Sequence, residues 1–87
     1  MMNVLIVDDD EPMCFLLKDS LQKRGHEVTA CTSAEEAMIA MDLHFYPLIL
    51  LDMGLPGMNG KDFCTRIRKG TDGENHYILF VTGNSNP

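Results

Sequence analysis

No two of the three cysteines, Cys14, Cys31 and Cys64, stand in a CxxC spacing. Their odd number and wide separation speak against a disulfide framework or a zinc site and for a reducing, cytoplasmic setting. No apolar run approaches the roughly 20 residues of a membrane span, and the first is too short for a signal peptide. His26, His44 and His76 form neither an Hx3–5H nor an HExxH pattern, so the usual histidine metal signatures are missing. Basic residues are also scarce: 7 Lys and Arg stand against 13 Asp and Glu, a net charge of −6. That balance argues against direct contact with nucleic acid or an anionic membrane. There is no internal repeat and no linker. At 87 residues the chain holds one domain at most, and burial of only about 60–65% of its unfolded surface keeps stability tight.

What the chain does have is globular: 45% apolar and 23% charged residues. Four short apolar runs punctuate it, Val4 to Val7, Val28 to Cys31, Leu48 to Leu51 and Tyr77 to Val81. The first, third and fourth are continuous rather than alternating, the pattern of strands covered on both faces in a parallel sheet. Helical patterns separate the runs. Met13, Leu16, Leu17 and Leu21 follow i, i+3, i+4, i+8, with Pro12 in the first turn and Gly25 at the stop. Ser33 and Glu36 make a capping box for a second helix, whose apolar face is Ala34, Ala37, Met38 and Met41. A third helix is expected from about Gly60 to Lys69, turning Phe63 and Ile67 inward. The order β-α-β-α-β-α-β predicts an α/β fold with right-handed crossovers and a doubly wound parallel sheet.

Such sheets place their chemistry beyond the carboxyl ends of the strands. The first strand is followed by Asp8-Asp9-Asp10-Glu11, the third by Asp52, and the fourth by Thr82 and Gly83. Three carboxylates and a hydroxyl therefore converge on one rim. Clustered carboxylates repel one another, and their proton affinity rises until a cation intervenes. An all-oxygen set suits a hard ion such as Mg2+, which takes one or two carboxylates, waters and a phosphate oxygen. A rim aspartate can then act as nucleophile toward phosphorus and form an acyl phosphate, with the Thr82 hydroxyl donating to the added oxygens.

The segments Val7-Asp8-Asp9-Asp10-Glu11, Leu51-Asp52-Met53-Gly54-Leu55-Pro56-Gly57-Met58-Asn59-Gly60 and Val81-Thr82-Gly83 resemble those of a two-component response regulator receiver domain. The middle segment is similar to that family's Asp-x-x-Met/Leu-Pro-x-Met-Asp/Asn-Gly loop without a gap. The resemblance implies a flavodoxin-like sheet of strand order 2-1-3-4. It implies Asp52 as phosphoacceptor, Asp8, Asp9, Asp52 and the Gly54 carbonyl as Mg2+ ligands, Thr82 as the switch hydroxyl and Gly83 as its small neighbour. It also implies a phosphoprotein that takes its phosphoryl group from a sensor histidine kinase or a phosphotransfer protein. Such a protein is a signalling domain rather than a turnover enzyme.

The resemblance covers residues 1–87 but only about two-thirds of the family's domain. At roughly 25 residues per strand–helix unit, five units need about 120 residues. A fifth strand, its lysine, the aromatic switch residue and the last helices have no counterpart, so residues 1–87 are expected to be a receiver incomplete at its C-terminus. The edge Tyr77 to Val81 would then be open and apolar, and self-association of the chain is expected. Rival readings fare less well. A P-loop needs Gly at 55 and Ser or Thr at 62, where the chain has Leu55 and Asp62. Asp8-x-Asp10 is similar to the motif of haloacid-dehalogenase-type Mg2+ phosphatases, but Pro12 stands where they carry Thr or Val. A binding module that works without phosphorylation is the remaining alternative, against which the intact acidic set argues.

Overall fold

The computed structural model describes residues 2–52, 55, 62–63, 65–66 and 77–81. Among the described residues four strands and two full helices follow one another in the order β1 (Asn3–Val7), α1 (Glu11–Lys23), β2 (Glu27–Cys31), α2 (Ala34–Leu43), β3 (Leu48–Asp52) and β4 (Tyr77–Val81). Residues 62–63 and 65–66 are helical, inside the span expected for a third helix, and the rest of that span lies outside the described residues. All strand pairs are parallel and the sheet order is β2-β1-β3-β4. The expected doubly wound α/β architecture is therefore the one observed. Among the described residues no helix is long and apolar enough to cross a membrane.

Alternate residues of the central strands feed two apolar layers, because successive side chains of a strand point to opposite faces. Leu5, Val7, Ile49 and Leu51 pack on one face with Ala34 and Ala37 of α2, Tyr46, Leu55 and Phe63. Val4 and Ile6 face the other way, with Cys14 of α1 and the half-buried Leu17, Leu21, Val28, Leu48 and Leu50. Val4 to Val7 are all buried, which explains why the sequence of β1 is apolar without alternation. Phe63 is fully buried as expected, whereas Met38 and Met41 sit half-buried at the margin of their layer.

Local signals set the helix ends. The Asp10 carboxylate accepts a hydrogen bond from the Met13 amide at 3.2 Å and caps α1, a contact of about 1 kcal/mol. Gly25 has φ +91°, a left-handed conformation in which a side chain would be strained, so it ends the α1 segment as the sequence indicated. Ser33 Oγ accepts from the Glu36 amide at 3.1 Å. The return half of the expected capping box differs: Glu36 Oε1 accepts from the amide and hydroxyl of Thr32, at 2.8 and 3.1 Å. Thr32, one residue further out, supplies two donors to the same oxygen.

Leu16 corrects one expectation. It was placed on the inner stripe of α1, but it is 61% exposed, as is its neighbour Phe15 at 69%. At about 100° per residue, the line through Cys14, Leu17 and Leu21 faces the sheet and carries Leu16 away from it. The small Cys14 takes the central place that an i, i+3, i+4 count of large apolar residues assigned elsewhere.

Candidate functional site

The end of β1 builds the site one residue at a time. Asp8 lies just beyond the strand, yet its amide still donates to the Cys31 carbonyl of β2 at 3.0 Å, so the sheet ladder draws it inward. Its residue is 2% exposed. The chain then turns sharply: Asp8 Oδ1 accepts from the Asp10 amide at 2.9 Å, and Asp10 begins α1. Between them Asp9 projects into solvent.

The third carboxylate arrives through the register. Val7 is paired with Leu51, so Asp52 stands beside Asp8 at the same rim. Asp52 is the last residue of β3, paired with Val81 of β4, rather than the first residue after the strand as the sequence indicated. One carboxylate oxygen each from Asp8, Asp9 and Asp52 lie within 4.8 Å of one another. Gly54, Thr82 and Gly83, the other positions singled out in the sequence, lie outside the described residues.

Electrostatics make this cluster unbalanced. Burial pushes the Asp8 carboxyl above its ordinary pKa, and the neighbouring Asp52 and Asp10 charges push the same way. The Asp10 amide partly opposes them by donating to Oδ1. The buried Oδ2 of Asp8 has no hydrogen-bond donor among the described residues. When Asp8 and Asp52 are both ionised neither brings a proton, so nothing among the described residues satisfies Oδ2, whereas a shared proton or a cation would. A divalent ion does this without neutralising the acids. The residues fit a hard, oxygen-preferring cation such as Mg2+: an orphaned buried oxygen, two more carboxylates within reach, and, among the described residues, no nitrogen or sulfur ligand in the group.

A family model for the response regulator receiver domain matches residues 4–87. The chain belongs to this family. The receiver is 34% identical over 85 residues to the two-component response regulator PhoP of Pseudomonas aeruginosa, covering 98% of the chain and 37% of that protein. Among solved structures, the chemotaxis response regulator CheY4 of Vibrio cholerae superposes with a TM-score of 0.91 at 28% identity, over 100% of this chain and 72% of that one. The response regulator TrrA of Thermotoga maritima, solved in complex with Mg2+ and beryllium fluoride, gives a TM-score of 0.86 at 33% identity, over 98% of this chain and 72% of that one. The chain thus spans about a third of the length of the curated relative, and about seven-tenths of the solved ones. It is a receiver domain of two-component signalling.

Two features of the site had gone unread in the sequence. Asp10 had been grouped with the acidic run, but its role is to cap α1, and the Pro12 two residues on was a usable signal for a helix start there. The second is Cys14, whose spacing from the other cysteines had pointed only away from a disulfide or a zinc site. Its thiol donates to the Asp8 carbonyl at 3.1 Å. Burial and the Asp8 and Asp10 charges push this thiol up to about 11, so the sulfur carries its proton at neutral pH. Nothing in the spacing of residues 8 and 14 signals that contact.

Proposed function

We propose that this receiver accepts a phosphoryl group on Asp52 from the phosphohistidine of a sensor histidine kinase or phosphotransfer protein, in a Mg2+-dependent reaction. The orphaned Oδ2 of Asp8, held beside Asp9 and Asp52, is the observation that carries this reading. Asp8, Asp9, Asp52 and the Gly54 carbonyl are the proposed ligands. Mg2+ when bound offsets the negative charge that would otherwise repel a phosphoryl group. An Asp52 carboxylate oxygen attacks phosphorus as the N–P bond to the donor imidazole breaks. The bonding electron pair goes to that imidazole nitrogen, which takes up a proton, and Asp52 is left as an acyl phosphate. Thr82, next in sequence after β4, is the proposed hydrogen-bond donor to the new phosphoryl oxygens. The product is a switched surface rather than a released compound, so the receiver is a signalling domain and not a turnover enzyme.

Residues 1–87 contain no lysine after Lys69, whereas the family resemblance puts one after a fifth strand. Phosphorylation of these 87 residues alone is accordingly proposed to be slow. The partner proposed for the outer edge of β4 is a second copy of this chain. β4 ends the sheet among the described residues, and its Tyr77 and Leu79 are exposed at 69% and 44%. An apolar edge of this kind is a template for strand pairing.

Beryllium fluoride, an analogue of the phosphoryl group, tests the acceptor. Added with Mg2+, it should tighten Mg2+ binding to the parent chain and leave Asp52→Asn unaffected. Equal Mg2+ titrations with and without it in the parent would overturn the proposal.

A further inference from the structure

We infer that Cys14 is a positioning residue for the cation site: its thiol holds the peptide unit between Asp8 and Asp9 in the orientation that aims both carboxylates at one ion. The inference rests on the Mg2+ reading given under Proposed function. It starts from how completely Asp8 is restrained. The Asp8 amide donates to the Cys31 carbonyl at 3.0 Å, and Oδ1 accepts from the Asp10 amide at 2.9 Å. The carbonyl accepts from Cys14 Sγ at 3.1 Å, in a buried contact. Among the described residues Oδ2 is the Asp8 oxygen that no contact holds.

The carbonyl restraint has the longest reach. The Asp8 carbonyl and the Asp9 amide belong to one rigid planar unit, so the thiol that anchors the oxygen also sets the direction in which the Asp9 Cα leaves. Among the described residues no hydrogen bond holds Asp9, and its side chain is exposed. Cys14 is itself firmly placed: its amide donates to the Asp10 carbonyl at 3.0 Å in the first turn of α1, and its side chain packs with Val4 and Ile6. A closed ring of contacts therefore runs Asp8–Cys14–Asp10–Asp8, and ties the acidic turn to the helix. Among the described residues, Cys14 is the one side chain that donates to this turn's backbone carbonyls. Substitution of outer partners of metal ligands typically weakens metal binding by about ten- to hundredfold, and a thiol, as a weak donor, should fall near or below the lower end.

The test is titration of the 87-residue chain with Mg2+ alone, read by calorimetry and by the amide chemical shift of Asp9. Cys14→Ala should weaken Mg2+ binding about fivefold and move the Asp9 amide signal in the metal-free protein. Cys14→Ser, which restores a hydroxyl donor, should bind within about twofold of the parent and return that signal. Cys14→Val and Cys14→Thr, matched in shape and differing in the donor, repeat the comparison if the smaller side chains unfold the protein. Equal weakening by Ala and Ser, and by Val and Thr, would reduce Cys14 to a packing residue and overturn the inference. So would a Cys14→Ala protein that titrates like the parent. Asp8→Asn separates the two levels: if it loses Mg2+ while Cys14→Ala does not, only the Cys14 role falls. If Asp8→Asn binds Mg2+ like the parent, the cation site and the Cys14 role fall together.

Discussion

Replacing Asp8 with asparagine separates the cost of the acidic rim from its use. The amide oxygen can still accept from the Asp10 amide, while the –NH2 group takes the place of Oδ2 beside Asp52. What disappears is one buried charge from a set whose oxygens lie within 4.8 Å of one another. At that separation a pair of like charges repels by between about 1 and about 3.5 kcal/mol, for effective dielectric constants between bulk water and the near-surface value. The metal-free Asp8→Asn protein should therefore be more stable than the parent by about 2 kcal/mol, or about 10 °C in Tm for a domain this small. Magnesium should narrow that gap. At ten times its Kd it adds about 1.4 kcal/mol to the parent and nothing to the variant. The pH dependence has a definite sign. The Asp8 pKa is raised on folding, so the folded parent holds an extra proton between the ordinary carboxylate value and the raised one. Parent stability falls as pH rises through that window, and the advantage of the variant is largest at neutral pH and shrinks on acidification. Thermal unfolding followed by circular dichroism, with and without Mg2+ at pH 7.5 and pH 5, reads all of these. A metal-free variant less stable than the parent at neutral pH, or one that keeps its Mg2+ increment, would refute the reasoning.

Other outcomes follow from single contacts. Asp9→Ala should weaken Mg2+ binding about tenfold, or 1.4 kcal/mol, with metal-free stability equal to or slightly above the parent's; calorimetric titration and thermal unfolding measure the two effects. Asp10→Ala removes the cap of α1 and should cost about 1 kcal/mol in urea unfolding, whereas an unchanged midpoint would mean that the Met13 amide contact contributes nothing. Leu79→Lys places a charge on the exposed face of β4 and should turn self-associated chain into monomer by light scattering. A parent that is already monomeric at tens of micromolar would contradict self-association.

The strands were legible because the buried centre of the sheet leaves a plain mark, whereas their order came from the family resemblance. Val4 to Val7 and Leu48 to Leu51 are apolar without alternation and lie inside the sheet, whereas the equally unbroken Tyr77 to Val81, expected to be covered on both faces, ends the sheet among the described residues with Tyr77 and Leu79 exposed. The carboxylates were legible because each follows directly on such a run, and parallel pairing must then bring Asp8 and Asp52 together. Side-chain detail was less so. Leu16 was misplaced because a count of large apolar residues ignores a small one, and Cys14 proved to hold the inner line of α1. Glu36 reaches Thr32 rather than Ser33, a choice that depends on the backbone path before α2 and not on residue spacing. The Cys14–Asp8 contact joins a helix turn to a strand end across a bend. No periodicity encodes such a contact.

The central claim is that Asp52 accepts phosphorus with Mg2+ held by its acidic neighbours. The most direct measurement is to incubate the chain with a small phosphodonor and Mg2+, reduce it with borohydride, and locate the reduced residue by mass spectrometry. The account predicts reduction at Asp52, dependent on Mg2+ and absent from Asp52→Asn. Reduction at Asp8 instead, or at Asp52 to the same extent after Mg2+ has been chelated, would contradict it.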